Sequence, residues 1–249
     1  MSSLRARCPE CRTLTAVAVD GGYQCHACGR EFAAGLVRVP RAWGDGGESM
    51  ADAAQMRLPW PEAAVVEEAS LAAQVEAMGR VLPERPLVLG GCCCSHVGAV
   101  RELARRHGRV AVVWLDAHGD LNTPESSPSG NPWGMPLRML IDAGDVAAAD
   151  VTLLGARNLD PPEVEFVAAA GVRQELGELP EHVYVALDCD VILPSELDVF
   201  MPEPGGPTLD ELEALLASLP RPVGAGFTGA VRSDANVARL ARLGHALGL

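Results

Sequence analysis

Two short aspartate-rich segments, each directly behind an apolar run, constrain the fold most strongly. Asp116-Ala-His-Gly-Asp120 follows the apolar run 110–115, and Asp188-Cys-Asp190 follows the run 182–187. Both runs are typical of buried strands. Because residues i and i+2 of a strand point to one face, each segment aims two side chains at one spot. Four carboxylates and an imidazole there predict a pocket for one or two divalent cations such as Mn²⁺. The alternative is that these are ordinary turn residues.

The segments around these motifs alternate between strand and helix patterns. A helix is predicted for 62–81 by its helical spacing of apolar residues. Beyond it, strands are predicted at 87–89, 110–115, 151–154, 183–187 and 223–228, and helices at 95–106, 136–143, 162–169, 209–219 and 235–247. Repeated βα units of this kind predict a parallel sheet with helices on its two faces, which is a three-layer α/β/α fold.

The first 36 residues carry a different pattern, with four cysteines in two C-x-x-C pairs. Cys8 and Cys11 form one pair, and Cys25 and Cys28 form the other, a spacing that predicts a small ribbon around one tetrahedral Zn²⁺. A disulfide pair is the weaker alternative in a reducing compartment. Acidic and basic residues are mixed around the cysteines, which favours a structural module over one that binds nucleic acid. Residues 37–61, rich in Gly, Pro and charge, are interpreted as a linker or irregular segment, and 62–249 as the α/β domain.

Composition excludes several classes of function. The formal charge of −13 argues against nucleic-acid binding, which needs a basic face. All 20 basic residues are Arg, so Schiff-base chemistry, a lysine general base and a P-loop are excluded. No signal peptide is expected ahead of Cys8, and no apolar run is long enough to span a bilayer. We therefore expect a cytoplasmic protein without a membrane partner.

Six pieces of the sequence, taken in order, resemble the ureohydrolase family of binuclear manganese hydrolases, the arginase and agmatinase type. The resemblance covers roughly residues 86–249, and its most specific part is the stretch from Asp116 to Pro124. It implies an arginase-type parallel sheet, a cleft at the carboxyl ends of the strands, and a homo-oligomer, trimer or hexamer. The pieces are Gly90-Gly91, Asp116-Ala-His-Gly-Asp120, Leu121-Asn-Thr-Pro124, Ser129-Gly-Asn131, Gly155-Ala-Arg-Asn-Leu-Asp160 and Asp188-Cys-Asp190.

The resemblance also implies how the metals are held. Asp116 and Asp188 would bridge two ions, His118 and Asp190 would complete one site, and Asp120 would belong to the other. His118 and Asp120 would also be catalytic, with Asp120 holding the proton of a metal-bound hydroxide. These implied roles come from the family and not from the spacing of the residues.

The sixth ligand departs from the family pattern. The family reads Gly-Gly-Asp-His, whereas here Cys92, Cys93 and Cys94 follow the two glycines, so that Cys93 stands at the histidine position. Cys93 as a thiolate ligand would shift the metal preference from Mn²⁺ toward Zn²⁺ or Fe²⁺. Alternatively His96, on the same helical face, replaces the histidine, or these cysteines are only buried packing residues.

The residues expected to bind the substrate match the family pattern only in part. By resemblance, Asn122, Ser129 and Asp160 would bind the amino and carboxylate groups of an amino-acid-like substrate, with Glu163 in a supporting position. Trp133, however, replaces the proton-shuttling histidine of arginases. The segment 226–231 lacks the glutamate that binds the guanidinium group, which makes arginine a doubtful substrate.

We expect a metal-dependent hydrolase of linear C–N bonds that acts on a small guanidino, hydroxyguanidino, amidine or formimino compound. The alternatives are a deacetylase-like amide hydrolase and a non-catalytic metal-binding regulator on the same fold.

Overall fold

Two sheets of different character organise the chain, and the computed structural model describes residues 4–249. Residues 1–3 of the predicted ribbon domain lie outside the described residues. The first sheet is antiparallel and has the order β1-β2-β3-β4. Its strands are short: β1 (Arg5–Ala6), β2 (Ala16–Val19), β3 (Gly22–Cys25) and β4 (Glu31–Phe32).

The second sheet has seven strands, all parallel, in the order β6-β5-β7-β11-β10-β8-β9. The strands are β5 (Gly35–Val39), β6 (Glu62–Val65), β7 (Pro86–Gly90), β8 (Ala111–Leu115), β9 (Val151–Leu154), β10 (Val183–Asp188) and β11 (Gly224–Thr228). The helices are α1 (Glu48–Ala53), α2 (Leu71–Val81), α3 (Ser95–His107), α4 (Pro136–Asp142), α5 (Pro161–Ala170), α6 (Leu209–Ser218) and α7 (Asp234–Ala246).

Side chains that alternate along the strands build two separate cores, one on each face of this sheet. In β7, for example, Leu87 and Leu89 join the core beneath α6 and α7, whereas Val88 joins the core beneath α2 to α5. Every residue of β7 is buried, as expected for a parallel strand covered on both faces. The predicted three-layer α/β/α architecture is therefore confirmed.

The predicted helix 62–81 is wrong in its first part. Residues Glu62–Val65 form the edge strand β6, and the helix begins only at Leu71, where the Ser70 side chain accepts a hydrogen bond from the Ala73 N–H. The segment 62–65 pairs with β5, and that tertiary pairing overrides the local helical spacing. Helices and strands from residue 86 onward agree with the predictions to within one or two residues.

Residues 37–61 contain more regular structure than a linker. The end of β5 and the whole of α1 lie within this segment. Strand β5 lies between β6 and β7 in the sheet, so the chain enters the large sheet before the predicted linker begins. The division into three domains stays a prediction, with β5 assigned to the α/β part.

The small antiparallel sheet is fixed to the edge of the large one. Arg7 and Glu62, the first residue of β6, exchange two backbone hydrogen bonds of 2.8 and 2.9 Å in an antiparallel bridge. The bridge satisfies backbone groups of an edge strand that otherwise have no partner. Among residues 4–249, no helix combines the length and apolar character needed to cross a bilayer.

Candidate metal centre

The carboxyl ends of four adjacent strands meet at one place. Strands β7, β11, β10 and β8 are consecutive neighbours in the sheet. Cys93 lies just beyond β7, Asp116 just beyond β8, and Asp188 and Thr228 are the last residues of β10 and β11. Because all four strands are parallel, these ends lie on the same side of the sheet, where open α/β sheets bind ligands.

The aspartate pairs converge through turns and not through strand alternation. The Oδ1 atom of Asp116 accepts a hydrogen bond of 2.8 Å from the His118 N–H, and Asp188 Oδ1 accepts one of 3.0 Å from the Asp190 N–H. Residues 189–191 form a single 3-10 turn. The aspartate pairs do converge, but the predicted reason, that residues i and i+2 share a strand face, was wrong. Both pairs lie in turns at the strand ends that are stabilised by side-chain hydrogen bonds. Cys189 is fully buried in the core, as predicted.

The acidic side chains form two groups whose candidate ligand atoms all lie within 4.8 Å of one another. One group is Cys93, Asp116 and Asp120, and the other is Asp116, His118 and Asp190. Asp188 adjoins the first group, with its Oδ2 atom 2.9 Å from Cys93 Sγ. His118 Nδ1 lies 2.9 Å from Asp190 Oδ2. Asp116 is common to both groups, which is the arrangement that a carboxylate shared by two ions requires.

Burial makes this site electrostatically unfavourable without a cation. Desolvation raises the pKa of Asp120 well above its usual range, and the charges of Asp116 and Asp188 raise it further. Desolvation and the nearby Asp190 raise the pKa of Asp188 to about 7. Desolvation lowers the pKa of His118, but its hydrogen bonds to Asp116 and Asp190 have the larger combined effect and raise this pKa to about 12. Four buried carboxylates thus share one cationic partner.

Asp120 carries the clearest sign that a cation belongs here. Its Oδ2 atom is buried and has no hydrogen-bond partner in the described part of the chain. Its backbone has a φ of 54°, in the left-handed region that non-glycine residues rarely adopt. A strained residue with an unpaired buried oxygen near the Asp116 and Asp188 carboxylates fits a hard divalent cation, which would supply both charge and coordination.

Cys93, and not His96, lies within the acidic cluster. Cys93 Sγ is 3.7 Å from Asp116 Oδ2 and 3.1 Å from the Thr228 hydroxyl. The His96 ring is turned away, because its two nitrogens contact the Tyr184 hydroxyl at 3.0 Å and the Thr228 hydroxyl at 3.3 Å. Burial lowers the pKa of His96 to about 3, so its imidazole is neutral. The geometry therefore disfavours His96 as the replacement ligand.

All five predicted substrate residues line one pocket of about 240 Å³ in front of the carboxylates. Asn122 donates a hydrogen bond of 2.8 Å to Asp160. Glu163 has a supporting position, because its two oxygens accept from the Leu121 and Asp160 N–H groups at 2.9 Å each. Ser129 is on the exposed rim, where its hydroxyl accepts from the Asn131 N–H. The polar groups are held in place before any ligand arrives.

Trp133 closes the opposite side of the pocket. Its indole ring packs edge-on against Phe200, with ring centroids 5.9 Å apart. A Cβ atom on Gly44 would overlap the ring, so glycine at that position allows the backbone to approach the indole closely. Trp133 is consequently a fixed apolar wall of the pocket.

Two contacts of the site were missed by the sequence analysis. Glu203 Oε1 lies 3.4 Å from His118 Nε2 and accepts a hydrogen bond of 2.9 Å from Asn158. The Thr228 hydroxyl lies 3.1 Å from Asp188 Oδ2. A carboxylate on the far nitrogen of a candidate ligand histidine orients the ring. The only signal for Glu203 was its place in a Pro- and Gly-rich segment after Asp190, which gives no indication of the distance to His118.

The four N-terminal cysteines also converge. Cys8 Sγ lies 3.9 Å from Cys28 Sγ, and Cys25 Sγ lies 3.9 Å from Cys11 Sγ. A tetrahedron with Zn–S bonds of about 2.3 Å has edges of about 3.8 Å, so these distances fit one Zn²⁺. A hydrogen bond from Thr15 lowers the pKa of Cys25 to about 6, whereas the contact with Cys28 raises the pKa of Cys11 to about 12 and burial raises that of Cys8. A shared cation would therefore be needed to hold all four as thiolates.

Comparison with known proteins gives a consistent result. The model of the arginase family matches residues 42–175, which is more than half of the chain. The arginase of Staphylococcus aureus (strain COL) is 42% identical over 92 residues, which are 33% of this chain and 30% of that protein. The arginase of Bacillus caldovelox is 34% identical over 159 residues, covering 51% of this chain and 53% of that protein. The sequence matches thus span between about a third and a half of these relatives.

The three-dimensional similarity extends further. The crystal structure of arginase from Bacillus subtilis superimposes with a TM-score of 0.72 at 20% identity and covers 86% of this chain and 97% of that one. Fold and site together define an α/β protein with a carboxylate-rich centre suited to divalent cations. The chain belongs to the arginase family.

Proposed function

We propose that this protein is a metal-dependent hydrolase of C–N bonds in small linear guanidino or amidine compounds. The observation that carries the proposal is the convergence of Asp116, His118, Asp120, Asp188 and Asp190 at adjacent strand ends, around a buried carboxylate oxygen without a partner. A protein that only needed a stable fold would gain nothing from burying these like charges together. Family membership supports the same chemistry.

Two divalent cations, with Mn²⁺ expected from the hard ligand set, fit these residues. His118 and Asp190 would hold one ion, Cys93 and Asp120 the other, and Asp116 and Asp188 would contact both. When bound, such ions polarise the substrate and lower the pKa of water toward neutrality. A homo-oligomer, trimer or hexamer, stays a prediction from the resemblance.

The chain's own residues supply position, proton transfer and exclusion of water. We assign Asp120, which lines the pocket, to holding a proton at one carboxylate oxygen while the other stays available to a cation. Glu203 holds the His118 ring through Nε2. Met50, Trp133 and Met201 form an apolar side of the pocket that limits the access of water to the reacting carbon.

The substrate class follows from the polar side of the pocket. Asn122, Ser129 and Asp160 present amide, hydroxyl and carboxylate groups that suit an amino-acid-like compound. The segment 226–231 contains no carboxylate, so nothing there pairs with the guanidinium group of arginine. We therefore propose a compound with a shorter or less basic reacting group.

The test is a screen of guanidino, hydroxyguanidino, amidine and formimino compounds with the Mn²⁺-loaded protein, followed as urea, ammonia or formamide release. Turnover of one of these classes that disappears with chelation supports the proposal. Stoichiometric metal binding without turnover of any class would contradict it and would favour the non-catalytic regulator. Turnover of acetylated amines alone would favour the amide hydrolase.

Replacing Trp133 tests how the leaving group receives its proton. An indole cannot transfer protons, so the leaving group needs either little help or a proton from Asp120 or solvent. Trp133→His should therefore raise kcat for poor leaving groups by roughly tenfold to a hundredfold, and for good leaving groups much less. The matched control is Trp133→Phe, which keeps the apolar wall and should show no such difference. Equal gains for both classes in Trp133→His would show that Trp133 only shapes the pocket.

Replacing Cys93 tests the ligand that departs from the family. Desolvation raises the pKa of Cys93 well above that of an ordinary thiol, and the charges of Asp188, Asp120 and Asp116 add to the effect. Forming the thiolate is therefore costly, and Mn²⁺ is a poor partner for sulfur. We expect the wild type to bind about one Mn²⁺ tightly at the His118 site, and Cys93→His to raise the content toward two ions.

Titration calorimetry of the metal-free proteins with Mn²⁺ measures this difference. The control is Cys92→Ser, because Cys92 is equally buried but its Sγ contacts the Trp43 N–H and no carboxylate. That variant should bind Mn²⁺ as the wild type does. Two equally tight Mn²⁺ sites in the wild type, unchanged by Cys93→His, would remove Cys93 from the ligand set.

A further inference from the structure

A second pocket lies between the cysteine-rich sheet and the α/β body, and its lining is mainly basic, in contrast to the acidic centre. Its volume is about 620 Å³, and five arginines line it together with a single carboxylate, that of Glu62. In a chain with a formal charge of −13, this concentration of positive charge is the reverse of the average surface. The arginines are Arg7, Arg12, Arg38, Arg57 and Arg232.

Both parts of the chain contribute to this pocket. Arg7 and Arg12 flank the first cysteine pair, and Arg38, Arg57 and Arg232 belong to the α/β body. The two parts are joined at the pocket by the backbone bridge between Arg7 and Glu62. The pocket therefore exists only when the cysteine-rich sheet is folded and docked.

Two of these arginines have no carboxylate partner among the described residues. Arg12 and Arg57 are exposed, and within the described residues neither guanidinium makes a hydrogen bond or an ion pair. The other three are held in position. Arg38 is buried and donates to Glu62 Oε2 at 2.6 Å and to the Met56 carbonyl at 2.7 Å.

Arg7 and Arg232 are also anchored, but weakly neutralised. Arg7 donates to the Arg12 carbonyl at 3.0 Å and lies 3.9 Å from Glu62. Arg232 donates to Asp52 at 3.2 Å, and both of these side chains are about half exposed. Leu58 and Trp60, both nearly buried, form an apolar floor. An apolar floor beneath guanidinium groups, two of which have no anionic partner among the described residues, suits a negatively charged small molecule.

We propose that this pocket binds a small polyanion that carries two or more phosphate or carboxylate groups. Guanidinium groups bind both kinds of anion through paired hydrogen bonds, so the chemistry of the pocket is common to the two sources. The volume of the pocket suits a metabolite-sized molecule. Binding would fasten the cysteine-rich sheet to the α/β body, because the ligand contacts both.

Titration calorimetry tests the proposal on the full chain loaded with Zn²⁺ and Mn²⁺. Fructose 1,6-bisphosphate is the phosphate probe and benzene-1,3,5-tricarboxylate is the carboxylate probe, since both chelate these metals only weakly. We expect one saturable site for at least one probe at 0.15 M salt, and the tighter probe identifies the source. Arg12→Gln and Arg57→Gln should each weaken binding roughly tenfold, the loss expected for one charge-assisted hydrogen bond.

Two control variants place the site. Arg80→Gln removes an exposed arginine of α2 that lines none of the described pockets, and it should leave binding unchanged. Asp116→Asn disables the acidic centre and should also leave binding unchanged, which separates this proposal from the proposed hydrolase function. Absence of saturable binding, or equal losses in Arg57→Gln and Arg80→Gln, would overturn the proposal. Binding of single-stranded oligonucleotides that strengthens with length, with no binding of either probe, would also overturn it in favour of a nucleic-acid surface.

Discussion

Asp116→Ala is expected to remove the tightly bound divalent cations from the acidic centre. It should also reduce the rate of hydrolysis by more than about 100-fold, since replacing a residue that only supports a metal ligand typically costs about 10–100-fold. Asp116 is the residue common to both groups of candidate ligands, so its loss opens both at once. The fold should remain, because Asp116 lies beyond the end of β8 and its removal relieves repulsion from Asp120 and Asp188. Metal content by elemental analysis and turnover of the compound found in the screen measure the two effects.

Thermal unfolding separates loss of metal from loss of fold. In the wild type, Mn²⁺ should raise the Tm, because the ions bind the folded state only. In Asp116→Ala, the metal-free Tm should equal or exceed that of the metal-free wild type, and Mn²⁺ should no longer raise it. The matched control is Asp142→Ala, an exposed aspartate whose partner is Arg138. Full activity in Asp116→Ala would remove this residue from the mechanism.

The double variant Cys11→Ser, Cys28→Ser is expected to lose about one tightly bound zinc per chain and to unfold the cysteine-rich sheet. Strands β1 and β4 have only two residues each, and the buried cluster around Ala6, Ala16 and Tyr23 is small. So small a sheet needs the metal as its main source of stability, and zinc-finger peptides derive about 10–16 kcal/mol from the ion. The α/β body, with its own two cores, should remain folded.

Elemental analysis and limited proteolysis measure the outcome. Cleavage should concentrate before residue 35, and exposure of the β6 edge should promote aggregation, because the bridge between Arg7 and Glu62 is lost. His26→Ala is the control, since His26 is exposed between Cys25 and Cys28 but belongs to none of the three groups of candidate ligands. A double variant that keeps all of its zinc would contradict the assignment of the four cysteines.

The sequence indicated the candidate metal-binding side chains but not their geometry. Asp116 and Asp188 were recognised because each follows a buried apolar run, and apolar runs in alternation with helical patterns are a local property that a single sequence displays. The turns in which each aspartate accepts a hydrogen bond from the residue two positions later were not predicted. Turns of this kind are local, but the same residues also fit a continued strand, and only packing distinguishes the two.

The choice between Cys93 and His96 shows the same limit. Both residues lie within one turn at the start of α3, and spacing alone leaves both available as ligands. The structure separates them because Tyr184, the second residue of β10, contacts the His96 ring, whereas Cys93 contacts Asp188 at the end of the same strand. The His96–Tyr184 contact joins residues that are 88 positions apart in the chain, and the Cys93–Asp188 contact joins residues that are 95 positions apart.

The sequence by itself therefore determined the class of fold, the two sets of candidate metal-binding side chains and the absence of lysine chemistry. Each of these depends only on residue type or on short-range spacing. Tertiary structure alone decided that residues 62–65 pair as a strand, that Glu203 contacts His118, and that five arginines line one pocket beside the cysteine-rich sheet. These features depend on contacts between segments distant in sequence. Such contacts form because burial of the two hydrophobic cores fixes the order of the strands in the sheet. That order cannot be predicted from a local sequence pattern.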